Sequence, residues 1–425
     1  MKLLPGGTKK IKPGVSAMSD NPDEVGHSLR ELWSFLEATI PTHKHQSTPI
    51  FMFATAGLRV VAERNNERIY DDDDSDGDVI LDADDDDYRK GPVAQILLNL
   101  REHVRDHTPF TLLQPDHIRV LKGEEEGLFD YLTLQQAVKL NRFAHLMGTP
   151  AETWQTSVIR PPTAVVSDLE PLCTVDLGGA STQISFQSDV SFTHEIKEFI
   201  RAPFAPEYPK IFTHSFLDYG IHRAYDRYLE NVLVQVTEDH PSETIDIPCL
   251  FQGSNVKVQH GKTLVTLQGS GNSNSCKAQM RNLFVAFKGK CASPPCALSD
   301  FQMPPYPTYS NIGGLRVIAF DNAYRVASSH GRKGYVKLGD LMQDVEHSFF
   351  LSWEQASIRF EHVPEEERLV LLFESLYLTS LLHYGYGFSK DTYIGFADSV
   401  DRQSLSWALG AMVHHAYHLC ETSLL

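Results

Sequence analysis

The stretch Cys173-Thr-Val-Asp-Leu-Gly-Gly-Ala-Ser-Thr-Gln-Ile-Ser-Phe186 limits the folds open to this chain more than any other. It starts apolar and β-branched, as a buried strand does, and Asp176 comes where that strand ends. Gly178 and Gly179 follow, and Ala180, Ser181, Thr182 and Gln183 lead into renewed apolar alternation at Ile184 and Phe186. The pattern predicts two strands joined by a tight turn, with glycine supplying positive φ and a close backbone approach. Successive N–H groups in such a turn can cradle an anion. The small side chains leave room for a phosphate, and two hydroxyls and an amide can hydrogen-bond around it. Asp176 can hold a divalent cation or its water shell. From spacing alone, an ordinary Gly-rich hairpin is the competing reading.

A length of 425 residues suits about two domains. The chain has 38 basic and 55 acidic residues, a net charge of −17. Eleven Asp lie between positions 71 and 87, so the balance elsewhere is −17 + 11 = −6. The acidity is therefore largely local, and no basic patch interleaved with aromatics points to nucleic acid. No apolar run is long enough to span a membrane, and the first residues lack the apolar core of a signal peptide. Of the cysteines, Cys291 and Cys296 suit a small disulfide loop and Cys249 and Cys276 a longer one. Without a C-x-x-C pair a zinc site is the weaker reading. Disulfides imply the secretory pathway or the cell exterior.

In chain order, Asn21-Pro-Asp-Glu24 opens a helix whose apolar face carries Val25, Leu29, Leu32, Trp33 and Leu36. Residues 49–55 read as a strand, followed by the small-residue loop Thr55-Ala-Gly-Leu-Arg59 and a helix to about residue 69. The segment 71–87 matches two-thirds of an EF-hand loop, but Ala83 stands where a bidentate Glu is required, so a solvated insert is expected. A helix over 95–103 and a strand over 118–121 lead to Gly123-Glu-Glu-Glu-Gly127. Crowded carboxylates at a strand end can raise one pKa toward that of a general base, and a solvated acidic loop is the alternative. A helix is expected over 128–146 and a polar crossing over 150–171. Strands are expected over 190–200 and 211–215, then a long amphipathic helix from Leu217. Residues 249–310 read as loop-rich. A strand at 315–320, helices at 338–350 and 365–382, and a final helix beginning near Trp407 complete the chain. Gly385-Tyr-Gly-Phe388 reads as a core turn or as aromatics presented to a ligand.

Four of these segments, in this order, resemble the second to fifth conserved regions of the apyrase family, the nucleoside triphosphate diphosphohydrolases. They are Phe53-Ala-Thr-Ala-Gly-Leu-Arg59, Gly123-Glu-Glu-Glu-Gly127, Asp176-Leu-Gly-Gly-Ala-Ser-Thr-Gln-Ile184 and Trp407-Ala-Leu-Gly410. Lys10-Ile-Lys-Pro-Gly14, Gly269-Ser-Gly271 and Leu382-His-Tyr-Gly-Tyr-Gly-Phe388 are also family-like, and the likeness runs from about residue 10 to 418. The resemblance implies a two-lobed α/β fold of the actin/hexokinase-like (RNase H-like) kind. It places an incomplete first lobe at 1–160 with the acidic insert 71–87, a second lobe at 161–400 with disulfide-type loops, and a C-terminal helix at 401–425 returning to the first lobe.

The same resemblance implies metal-dependent hydrolysis of nucleoside tri- and diphosphates with Ca²⁺ or Mg²⁺. Glu126 takes the place of the base that activates water, and Ser181 and Gln183 of the residues that position that water. Asp176 takes the place of the acid holding the metal through water. Thr55, Ala56, Gly57 and Arg59 stand near the phosphates, Gly178, Gly179, Ala180 and Ser181 form the phosphate cradle, and Trp407 lines the site. It also implies a secretory, membrane or extracellular location, with anchoring in a full-length form. The family's first conserved region, an Asp-x-Gly-Ser phosphate loop, is absent, and with it the opening strands of the first lobe. That departure implies a truncated or divergent member, and a catalytically impaired nucleotide-binding or interaction protein as the alternative.

Overall fold

The structure, a computed structural model, describes residues 9–70, 91–146, 172–187, 211–234, 244–285, 296–298, 301–306, 316–400 and 403–422. The expected insert 71–87, the crossing 150–171, the strand 190–200 and the lobe boundary near 160 lie outside them. The chain divides into two compact units, Met1–Gly123 and Glu124–Leu425.

In the first unit, the expected opening helix is two pieces, α1 (Val25–Ser28) and α2 (Arg30–Thr39), which break at Leu29. Strand β1 (Met52–Ala54) runs into α3 (Ala56–Arg64); α4 (Pro92–His107) precedes β2 (Ile118–Val120). β1 and β2 pair in parallel, with Met52 opposite Ile118. Val93, Ile96, Leu97, Leu100 and Val104 form the buried stripe of α4, and Val25, Trp33, Leu58, Ile118 and Val120 share its core. The Glu67 carboxylate accepts from Val93 N at 3.0 Å and Ala94 N at 2.7 Å, so it supplies the cap of α4.

The second unit begins with α5 (Gly123–Leu146), which covers a hairpin of β3 (Leu172–Leu177) and β4 (Ser181–Gln187). β5 (Ile211–Leu217) and α6 (Ile221–Leu233) follow. Next come β6 (Thr244–Ile247), β7 (Asn255–His260), β8 (Thr263–Gly269), α7 (Ser273–Val285), β9 (Cys296–Ala297) and β10 (Phe301–Gln302). The remainder is β11 (Arg316–Asp321), α8 (Asn322–Ser329), β12 (Gly334–Lys337), α9 (Leu338–Ser348), α10 (Trp353–Arg359), α11 (Glu365–Ser380), β13 (Tyr393–Phe396) and α12 (Trp407–Thr422).

The main sheet has the order β12-β13-β11-β3-β4-β5, with β3, β11 and β13 parallel to one another. Both of its faces are buried, as a largely parallel centre requires. Cys173, Val175, Leu177, Ile184 and Phe186 enter the larger core with residues of α6, α8 and α11. On the opposite face Leu172, Ile211, Ile318 and Phe320 meet Leu128, Tyr131 and Leu134 of α5.

Several expectations change. The run Gly123–Gly127 is the first turn of α5, not a loop; its carboxylates sit where the helix N-terminus favours negative charge. Within 249–310, expected to be loop-rich, β7 and β8 belong to a three-stranded sheet of order β6-β8-β7 and Ser273–Val285 is helix α7. α6 starts at Ile221, because Leu217 is the last residue of β5 and Gly220 packs against the β3–β4 turn, where a Cβ would lie 2.3 Å from Ala180 N. Cys249 and Cys276 are joined by a disulfide, as expected. Cys296 is also disulfide-bonded, and its expected partner, Cys291, lies outside the described residues.

Candidate active site

The site of the second unit is built on the alternation of β4. Thr182, Ile184 and Phe186 point one way, and Ser181, Gln183 and Ser185 the other, toward α5. A polar face of this kind normally meets water; here it is covered by a helix. Gly127 makes that possible: a Cβ there would stand 2.4 Å from Thr213 Oγ1 and 2.8 Å from Ser185 Oγ. Ser185 Oγ instead donates to Gly127 O at 2.8 Å, and Thr213 Oγ1 lies 3.3 Å from Glu124 O. These hydroxyls of two adjacent strands pin the first turn of α5 to the sheet.

Pinned there, α5 presents Glu126 to Gln183. Gln183 Nε2 lies 3.1 Å from Glu126 Oε2, 2.7 Å from Ser181 Oγ and 2.9 Å from Ser215 Oγ. Gln183 Oε1 is buried with no hydrogen-bond partner, an acceptor still to be satisfied. Asp176 stands directly opposite Gln183 in the β3–β4 ladder, and Phe320 of β11 stands opposite Asp176 on its other side. One row across three strands and one helical turn thus brings together Glu126, Asp176, Ser181 and Gln183, all between 1 and 6 % exposed.

The turn between β3 and β4 is set by contacts rather than by left-handed backbone. Neither Gly178 nor Gly179 takes the expected positive φ. A Cβ on Gly178 would lie 3.1 Å from Ser181 O and one on Gly179 3.0 Å from His222 Nδ1, so both positions are tight. Gly178 O accepts from Ile221 N at 2.9 Å, and Gly179 O accepts from His222 N and Arg223 N, both at 3.0 Å. The turn's carbonyls therefore cap α6. Behind the turn, Thr182 Oγ1 donates to Asp176 O at 2.6 Å and so accepts from Tyr386 OH at 2.9 Å. Tyr386 is buried, which makes its loop the core turn of the two readings.

Three acidic or polar contributors lie outside the sequence motifs. Asp130, one helical turn after Glu126, is 1 % exposed, and neither carboxylate oxygen has a hydrogen-bond partner. Burial, then the charges of Asp176, Glu126 and Asp321, push its pKa well up. Asp176 is likewise raised by burial and by Asp321 and Glu126, and its Oδ1 is unpartnered. Asp321 ends β11 at φ 56°, ψ −125°, an unusual conformation for a residue with a side chain. Ser215 completes the Gln183 network from β5. The i, i+4 spacing of Glu126 and Asp130 was the available signal; Asp321 and Ser215 needed the strand order.

Trp407 begins α12, whose Gly410 lets the helix touch α5: a Cβ there would lie 2.0 Å from Phe129 O. Thr133 Oγ1 donates to Ser406 O and accepts from Gly410 N, both at 2.8 Å, which fixes the start of α12 on α5 within the second unit. Thr55, Ala56, Gly57 and Arg59 belong to the first unit. Thr55 O caps α3 through Leu58 N at 3.0 Å, and Arg59 is buried with Nη1 3.3 Å from Leu121 O.

The donor set suits a hard divalent cation: oxygen only, acidic, with unpartnered buried carboxylate atoms on Asp176 and Asp130. Among the described residues no three His, Cys, Asp or Glu side chains are grouped to hold an ion directly.

The profile of the GDA1/CD39 (nucleoside phosphatase) family matches residues 3–75 and 89–422. The nucleoside-diphosphatase mig-23 of Caenorhabditis elegans is 27% identical over 431 residues, covering 96% of this chain and 69% of that protein. Ectonucleoside triphosphate diphosphohydrolase 1 of Mus musculus is 25% identical over 426 residues, covering 95% and 72%. The crystal structure of nucleoside triphosphate hydrolases from Neospora caninum superposes with a TM-score of 0.53 at 16% identity, covering 95% of this chain and 79% of that one. That likeness shows the two chains share a fold.

Proposed function

The chain belongs to the GDA1/CD39 nucleoside phosphatase family, and from that premise we propose that it hydrolyses nucleoside tri- and diphosphates at the terminal phosphate. The observation that carries the reading is Gln183 Nε2, which lies within hydrogen-bond reach of both Glu126 and Ser181. In this reading a water held by Ser181 and Gln183 gives its proton to Glu126 as its oxygen attacks the terminal phosphorus. The anhydride P–O bond breaks, and the shortened nucleotide leaves with the electron pair. No covalent protein intermediate is needed, since phosphoryl transfer gains mostly from positioning and charge neutralisation.

Asp176 would hold a Ca²⁺ or Mg²⁺ through water; such an ion supplies charge neutralisation at the phosphates. The backbone of Gly178, Gly179 and Ala180 is the proposed phosphate cradle. Thr55, Ala56, Gly57 and Arg59 are proposed phosphate contacts of the first unit, and Trp407 a lining residue. The buried disulfide Cys249–Cys276 supports an oxidising compartment such as the secretory lumen or the cell exterior. Among the described residues no helix is long and apolar enough to cross a membrane.

Phosphate release from ATP, ADP and UDP, with Ca²⁺, with Mg²⁺ and with chelator, tests the reading. Turnover that needs a divalent ion is expected. Glu126→Gln should lower it roughly 10²- to 10⁴-fold without lowering thermal stability. Unchanged turnover in that variant would remove Glu126 from the role of base, and nucleotide binding without any turnover would leave only a binding protein.

A further inference from the structure

We infer that Asp130 is a second carboxylate arm of the cation site, presented by the same helix that presents Glu126. This rests on the reading of Asp176 above. Asp130 follows Glu126 by one turn of α5, on the helix face turned to the sheet. Its carboxyl is buried, and both of its oxygens are without a hydrogen-bond partner. The groups that act on it are Asp176, Glu126 and Asp321, all acidic. With both carboxyls ionised no donor reaches these oxygens; only a proton on Asp130 or Asp176 would join the two groups.

A buried carboxyl so placed has two physical justifications. Either it stays a neutral acid and donates to Asp176, or it helps Asp176 neutralise and orient a hydrated cation. The first role is structural and asks only for a donor. Asparagine supplies that donor at the same size, so the two roles separate cleanly. The second accounts for acid rather than amide at this position. It also accounts for the unpartnered oxygens, which would be met by water molecules of the bound ion.

The test is Mn²⁺ binding to the purified full chain with no nucleotide, followed by calorimetry or by loss of the free-ion spin-resonance signal. Melting temperature without metal is measured in parallel. Asp130→Asn should weaken Mn²⁺ binding at least about ten-fold, the scale seen when groups supporting a metal site are removed. Its metal-free melting temperature should match or exceed that of the native chain. Asp176→Asn should weaken binding too. Native Mn²⁺ affinity in Asp130→Asn beside weakened affinity in Asp176→Asn would overturn this inference while leaving the Asp176 reading intact. Native affinity in both, or no binding by the native chain, would overturn both. Should Asp130→Asn fail to fold, Asp130→Ala is read by the same criteria.

Discussion

Histidine 330 shows how one side chain can carry a pH dependence unrelated to the active site. Ser375 Oγ donates to Leu371 O at 2.6 Å, so its contact of 2.8 Å with His330 Nε2 is one in which the imidazole donates. Nδ1 is then the bare nitrogen, buried and without a partner. Burial, opposed by Asp344 and assisted by Arg359 and Arg332, pushes the pKa down to about 4 from 6.5. Between those values the unfolded chain binds a proton that the folded chain refuses. Stability therefore falls as pH drops from about 6.5 to about 4 and levels off below. His330→Gln keeps a donor for Ser375 and cannot titrate. Urea denaturation at pH 7 and pH 5 should show a smaller loss for the variant than for the native chain. At this same scale, Asp176, Ser181 and Gln183 share one local motif and Glu126 stands in another, so all four are legible as candidates through the family resemblance. Asp130 was half legible through its helical spacing. Asp321 was not, since its relevance comes from β11 lying beside β3.

At the scale of elements, close backbone approaches place the site. α5 rests on β4 and β5 at Gly127, α12 rests on α5 at Gly410, and α6 rests on the β3–β4 turn at Gly220. Each glycine is a point where a methyl group would collide. Gly127→Ala should lift the first turn of α5 from the buried hydroxyls of Ser185 and Thr213. Overpacking costs of this kind are about 1–3 kcal/mol, partly offset by the better helix propensity of Ala, about 1 kcal/mol. Denaturation should therefore show a modest loss. Phosphate release should fall much further, by about 10²-fold, since a shift of about 1 Å in a catalytic group has that effect. A variant with full activity would show that the register of α5 on the sheet is not critical. The motif Gly-Glu-Glu-Glu-Gly thus has separate parts: acids for the helix start, one acid for the site, and a glycine for the seat. The acidic turn reads as a loop from composition alone, because the helix N-terminal charge that favours it is invisible until the helix is seen to begin there. The strands at 255–260 and 263–269 read as loop for a different reason. The alternation at Val256 and Val258 is short, and the surrounding Gly, Ser and Asn dominate the pattern.

On the scale of the whole molecule, the second unit holds its core through sheet, helices and a buried cross-link. The Cys249–Cys276 bridge closes a loop of 27 residues, and both sulfurs lie in the main core. By the chain-entropy argument, replacing both with Ser should lower stability by about 3–4 kcal/mol, read as a fall in denaturation midpoint under non-reducing conditions. A midpoint equal to that of the native chain would show that the cross-link constrains the unfolded state little. The primary structure by itself determined the family, the α/β class and the motifs that carry acid, amide and hydroxyl. These are short-range patterns, in which the chemistry and the backbone needed to display it sit within a few residues of each other. Only the tertiary structure decided which polar face of β4 is buried and that α5 covers it. It alone brought Asp130, Asp321 and Ser215 to that face, and set Tyr386 behind it on Thr182. The reason is physical: burial and the pairing of distant carboxylates depend on which strands and helices become neighbours, and neighbours are chosen by the packing of the whole unit.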